Sequence, residues 1–223
     1  MTKVLLLFNQ GEKTTLTDVA MCLLDWVKYY STHPTIKLDV VKERLWCDLK
    51  YNLAINAAIA CGYDYIFQYD SDMIGDARTI QWLIERDKEC VGTLFFNRNY
   101  PYEPQMWDVI EKDGEKYFKQ FGRDTISNAV QEGQLMATSI RATGFTLFKM
   151  SAVKEIGYPF GESTPNQKIK HVINGWDSDF TKKISDRFGA VYTDCDLKYG
   201  TKHISYVGVD HKFYTKEFEA VLA

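Results

Sequence analysis

Five consecutive apolar residues, Val4-Leu5-Leu6-Leu7-Phe8, run straight into polar Asn9-Gln10. A strand turns successive side chains to opposite faces, so an unbroken apolar run of strand length needs cover on both sides. That need points to a sheet packed between helices. The residues that follow supply them. Leu16, Val19, Ala20, Leu23, Val27 and Tyr30 recur at helical spacing, and His33-Pro34 ends the helix because the residue before proline is pushed out of the helical region. Ile36–Val40 alternates with period two. Asp48–Cys61 predicts a second helix with Leu49, Leu53, Ala57 and Ala60 on its inner face and Gly62 just past its end.

Tyr65–Tyr69 predicts a third strand, stopped by Asp70-Ser71-Asp72. Asp76 then caps a helix carrying Ile80, Leu83 and Ile84, and Cys90–Phe96 is a fourth strand. Alternating strands and helices build an open α/β sheet whose ligands bind beyond the carboxyl ends of its strands. After Phe96 the rhythm breaks. Asn97–Pro104 reads as a loop, and Trp107–Ile110 and Lys116–Phe118 as a hairpin around Asp113-Gly114. Residues 122–136 are weakly patterned, a loop or a short helix. Ile140–Lys149 reads as one strand interrupted by Gly144, Ser151 as the cap of a short helix, Asp177–Phe188 as a helix, and Ala190–Tyr192 as a strand.

Composition narrows the class. At 223 residues, 45% apolar and 26% charged, the chain has the proportions of one globular domain. Its net charge of −3 provides no general attraction for nucleic acid or anionic lipid. No run approaches the length of a membrane-spanning helix, and the first apolar run is too short for a signal peptide. Five cysteines (Cys22, Cys47, Cys61, Cys90, Cys195) without a CxxC pair argue against a disulfide framework and for a cytoplasmic setting.

Eighteen aspartates make an Asp-x-Asp triplet commonplace, and there are three: Asp70/Asp72, Asp177/Asp179 and Asp194/Asp196. The first follows a convincing buried strand. Carboxylates there face the cleft and can hold Mg²⁺ or Mn²⁺ through oxygen, leaving positions for water and phosphate. Asp177, in Gly175-Trp176-Asp177-Ser178-Asp179-Phe180, opens a helix, where acidic residues commonly serve only the helix dipole. A role in chemistry requires one carboxylate free to take a proton. His203 follows the last predicted strand and can return to the cleft as an imidazole ligand, whereas His33, His171 and His211 read as solvated. GxGxxG after the first strand, the P-loop and GxSxG are all absent.

These segments occur in an order that resembles the GT-A glycosyltransferases, most closely glycosyltransferase family 2. LKYNLAINAAIACGYDYIFQYDSDM, VGTLFFNRNYPYEP, ATGFTLFKMSAVKEIGYPF and Gly175–His203 carry the likeness, which spans about residues 3–205. It implies a single GT-A domain: a Rossmann-like open mixed sheet with helices on both faces and α+β additions on the acceptor side. Residues 1–96 would form the nucleotide-sugar half, 97–205 the acceptor half, and 206–223 a tail. The implied enzyme moves a sugar from a nucleotide-sugar, UDP-linked, to a hydroxyl of a saccharide or lipid-linked glycan, using Mn²⁺ or Mg²⁺.

The resemblance assigns Asp70, Asp72 and His203 to the metal and Asp177 to the catalytic base of an inverting reaction. It gives Phe8, Asn9, Asn52, Asp70, Ser71 and Asp72 to the nucleotide-sugar, and Trp176, Gly144 and Arg98 to the acceptor. Two positions depart from the family pattern: Trp176 replaces the glutamate of its Glu-Asp pair, and Tyr51 the arginine before Asn52. Two alternative readings are a phage-type transferase acting on a hydroxymethylated base in DNA, helped by Lys168, Lys170, Lys182 and Lys183, and an inactive nucleotide-sugar-binding module.

Overall fold

The computed structural model describes residues 1–9, 17–43, 48–97, 101–165, 173–204 and 208–209. The first part of the chain runs β1 (Thr2–Asn9), α1 (Thr17–Ser31), β2 (Ile36–Glu43), α2 (Asp48–Ala60), β3 (Tyr65–Asp70), β4 (Met73–Ile74), α3 (Thr79–Glu85) and β5 (Cys90–Thr93). Then come the hairpin β6 (Met106–Lys112) and β7 (Glu115–Gln120), α4 (Arg123–Gln131), β8 (Leu135–Thr138), β9 (Ile140–Arg141), β10 (Phe145–Lys149) and α5 (Met150–Ile156). Short β11 (Thr164–Pro165) and β12 (Ile173–Asn174) precede α6 (Trp176–Phe188) and β13 (Val191–Asp194). A 3₁₀ turn at Leu197–Tyr199 leads into β14 (Lys202–Ile204) and β15 (Gly208–Val209).

Seven strands form the central sheet in the order β2-β1-β3-β10-β5-β13-β8. β1 runs parallel to both β2 and β3, and β5 parallel to β13, while β10 and β8 are antiparallel to their neighbours. Every residue from Val4 to Phe8 is buried, as the apolar run requires. Val4, Leu6 and Phe8 pack with Trp26 and Tyr30 of α1 and Ile80 and Leu83 of α3. Leu5 packs on the other face with Ile55 and Ala58 of α2, Val153 of α5 and Phe180 and Ile184 of α6. Each such side chain contributes about 1.5–3 kcal/mol by leaving water.

Four local expectations are revised. α2 turns Asn52, Ile55 and Ala58 inward and leaves Leu49 and Leu53 56% and 53% exposed. The inner face is hard to see because a polar residue occupies it. Asn52 Oδ1 accepts from Phe160 N (2.8 Å) and Gly161 N (3.2 Å), and its Nδ2 donates to Gly161 O (2.9 Å). The single strand expected over Ile140–Lys149 splits, β9 pairing with β6 and β10 entering the central sheet. The short helix starts at Met150 with Lys149 at its cap position, not Ser151. The weakly patterned 122–136 stretch resolves into α4 and β8.

Arg141, 1% exposed, fixes the split. Its guanidinium donates to Tyr192 O (2.7 Å), Thr93 O (3.0 Å) and Thr193 Oγ1 (3.2 Å). Burial pushes it down to about 10, still protonated at neutral pH. The group fits only because residue 92 has no side chain: a Cβ there would stand 2.3 Å from Arg141 Nη2 and 2.6 Å from Phe145 O. Gly92→Ala is therefore expected to cost about 3 kcal/mol and lower Tm by about 10 °C in a thermal melt.

Candidate active site

β1 and β3 end level with each other, Asn9 facing Asp70 in register. Asp70 N donates to Gly144 O (2.8 Å) and Ser71 N to Asn9 O (3.0 Å), so three segments converge where the sheet stops. Asn9 Nδ2 lies 3.2 Å from Asp70 Oδ1 and 2.7 Å from the Tyr51 hydroxyl, which accepts from it. Gly144 closes the other side of Asp70: a Cβ there would stand 2.8 Å from Asp70 Oδ2. Burial, and then the charge of Asp72, push the Asp70 carboxyl up to about 6.

Past Ser71 the chain folds back as β4, which pairs with β14 and sets His203 opposite Met73. Ile204 N donates to Asp72 O (2.6 Å). His203 Nε2 consequently stands 3.0 Å from Asp72 Oδ2, while Nδ1 lies 2.9 Å from Phe96 O. A carbonyl only accepts, so Nδ1 carries a proton. Nε2 then meets the carboxylate with either a second proton or a lone pair. In the second case two donors of electron density face one another, as around a divalent cation. The donor chemistry thus fits Mn²⁺ or Mg²⁺ held by Asp72 and His203, with remaining positions left to phosphate and water. Among the described residues, no group of three or more acidic, thiol or imidazole side chains is arranged to enclose a metal by itself.

Asp177 opens α6, its Oδ1 accepting from Ser178 N (2.8 Å) and its pKa raised by burial. Gly175 makes room for it, because a Cβ would fall 2.5 Å from that oxygen. The Tyr51 hydroxyl is pushed to high pKa by burial and then by the charges of Asp70 and Asp177. Asn9 Nδ2 bridges it to Asp70. The tyrosine ring stacks on Trp176, centroids 4.3 Å apart and planes within 15°. The two departures from the family pattern touch each other.

Several expected residues occupy other places. Phe8, 1% exposed, lies in the core against Tyr69, so Asn9 alone represents the end of β1 in the cleft. The Asn52 amide is engaged by backbone, as described above. Trp176, 5% exposed, packs between Tyr51 and Phe180, and Gly144 faces Asp70. Arg98, Lys168 and Lys170 lie outside the described residues. Lys182 and Lys183 pair with Asp186 and Asp179 along their own helix. Asp179 and the third triplet are structural: Asp179 accepts from Glu162 N (2.9 Å), while Asp194 is buried against Arg86 and the Tyr199 hydroxyl. Sequence reading noticed Tyr51 only as a mismatch and missed the Phe96 carbonyl, which carries no side-chain signal.

An open mixed seven-stranded sheet in this strand order, packed between helices, is a GT-A-like fold. Among solved structures, the chain is similar to A197 from STIV, with TM-score 0.53 and 13% identity over 92% of this chain and 86% of that one. It also aligns with GalNAc-T7 in complex with UDP, GalNAc and Mn²⁺ (TM-score 0.49, 11% identity, 99% of this chain and 48% of that one). A third alignment is to S. aureus TarS 1-349 with UDP-GlcNAc (TM-score 0.43, 12% identity, 96% and 64%). No protein-family model and no curated protein matches the sequence. No described helix is long and apolar enough to cross a membrane.

Asp72→Asn and His203→Ala should each weaken Mn²⁺ binding by at least about tenfold in water-proton relaxation titrations. Asp179→Asn, which alters a carboxylate of the second triplet, should leave it unchanged.

Proposed function

We propose that this chain is a metal-dependent glycosyltransferase that moves a sugar from a nucleoside-diphosphate donor, UDP-linked, to a hydroxyl acceptor with inversion. One observation carries the reading: the Asp72–His203 pair stands beside half-buried Asp70 at the sheet's carboxyl edge, with a second acidic group, Asp177, next to the Trp176 that stacks on Tyr51. Asp72 and His203 would hold the cation, which supplies positive charge against the diphosphate as it departs.

The remaining work belongs to the chain. Asp177 accepts the proton of the attacking hydroxyl, whose oxygen bonds to the anomeric carbon while the carbon–diphosphate bond breaks and its electron pair leaves on the diphosphate oxygen. Asn9 orients Asp70 and Tyr51 together. The Tyr51–Trp176 stack holds the start of α6, and so Asp177, at a set distance from the donor end. Trp176 supports this geometry from within the core, and acceptor contacts fall to residues around Asp177.

Transfer or hydrolysis of labelled UDP-sugars with Mn²⁺ tests the reading. Asp177→Asn should reduce kcat by about 10³-fold while leaving UDP affinity within about threefold. Full turnover in excess EDTA would overturn the metal assignment. A base works only when ionised, and burial raises Asp177 above the ordinary aspartate value. Activity should therefore fall, as pH is lowered, at a higher pH than a solvated aspartate would give, read as the acid limb of kcat against pH.

A further inference from the structure

β2 is the outermost strand of the central sheet, and its outer edge has no strand partner among the described residues. Natural sheets usually blunt such an edge or pair it. Here both flanking layers are apolar where they reach it. Ile36 and Leu38 point to the α1 side, so Val40, two residues on, does too, and it is exposed. On α1, the Tyr29 hydroxyl donates to Gln81 of α3 (3.0 Å), toward the interior of the sheet. Val27 lies on the opposite flank of that helix, toward β2, and is exposed. On the other face, exposed Val41 and Leu53 line a groove of about 410 Å³ between β2 and α2. An unpaired edge flanked by apolar side chains on both faces is an interaction surface.

Charge along β2 identifies its partner. We propose that β2 pairs antiparallel with β2 of a second copy of this chain across a two-fold axis, continuing the sheet from one copy into the other. Facing residues in such a pair lie on the same side of the sheet, which restricts the registers. Centring the axis on Val40 sets Lys37 opposite Glu43 of the second copy, Leu38 opposite Lys42 and Val40 opposite itself. Shifting the centre to Asp39 opposes two aspartates, and shifting it to Val41 opposes Asp39 to Glu43. Like charges facing each other disfavour both shifts. Centring on Leu38 also sets opposite charges face to face, Lys37 against Asp39, but overlaps only Ile36–Val40 within the strand, whereas the Val40 register overlaps Lys37–Glu43 and brings the α1 flanks together on one face and the α2 grooves on the other.

Sedimentation velocity of the full chain between about 1 and 100 µM tests this. A monomer–dimer equilibrium is expected. Lys37→Glu should raise the dimer Kd about tenfold, and adding Glu43→Lys to it should restore the Kd to within about threefold, because the pair is reversed rather than lost. Leu53→Glu should weaken the dimer as well, each variant keeping the melting temperature of the parent. A chain that stays monomeric throughout overturns the proposal. So does a dimer whose Kd none of these variants moves, or a Lys37→Glu defect that the reversed pair does not repair. Catalytic activity is not part of the readout, so the result stands apart from the proposed transferase reaction.

Discussion

Negative charge gathered in a poorly solvated place is the constraint from which the rest of this molecule can be read. Asp70 is half-buried at the end of β3, Asp72 follows two residues later, and Asp177 approaches from α6. Repulsion between such groups grows as water is withdrawn. A protein keeps them together only if positive charge or hydrogen-bond donors answer them. The chain provides Asn9 Nδ2 to one carboxylate, Ser178 N to another and the His203 imidazole to the third. The sheet order, the β4–β14 fold-back and the position of Gly144 all make sense as ways of delivering these groups to one edge.

Much of that frame was legible in the residues. An apolar run buried on both faces has few architectural solutions, and β1, β2, β3, β5 and the first three helices occupy the segments expected of them, although α2 turns a different face inward. The preference for Asp70/Asp72 over two chemically identical triplets came from its position after a buried strand. The structure gives Asp179 and the third triplet work in holding loops and an arginine. His203 was legible only as a residue able to return to the cleft, since its approach to Asp72 depends on pairing between segments 130 residues apart.

What was not legible shares a physical cause. Asn52 is polar yet inside, because an amide can satisfy a turn of backbone that an aliphatic side chain cannot. Arg141 is charged yet inside, because carbonyls and a missing Cβ at residue 92 accommodate it. Tyr51 and Trp176 each look like an isolated departure along the chain and prove to be a stacked pair in space. Opposite charges at these two positions would attract electrostatically. Two aromatic faces supply dispersion and burial instead, which tolerate loss of water better. The pattern was broken twice in sequence and once in structure.

α2 carries Tyr51 and Asn52 side by side, and neighbouring helical residues point about 100° apart. One side chain therefore reaches the acidic cluster while the next grips the 160–161 turn, which packs against Trp176. The helix acts as a measuring rod whose two adjacent marks calibrate chemistry against scaffold. Adding or deleting a single residue upstream within it would rotate both marks off target together, so this stretch should accept substitutions far more readily than changes of length.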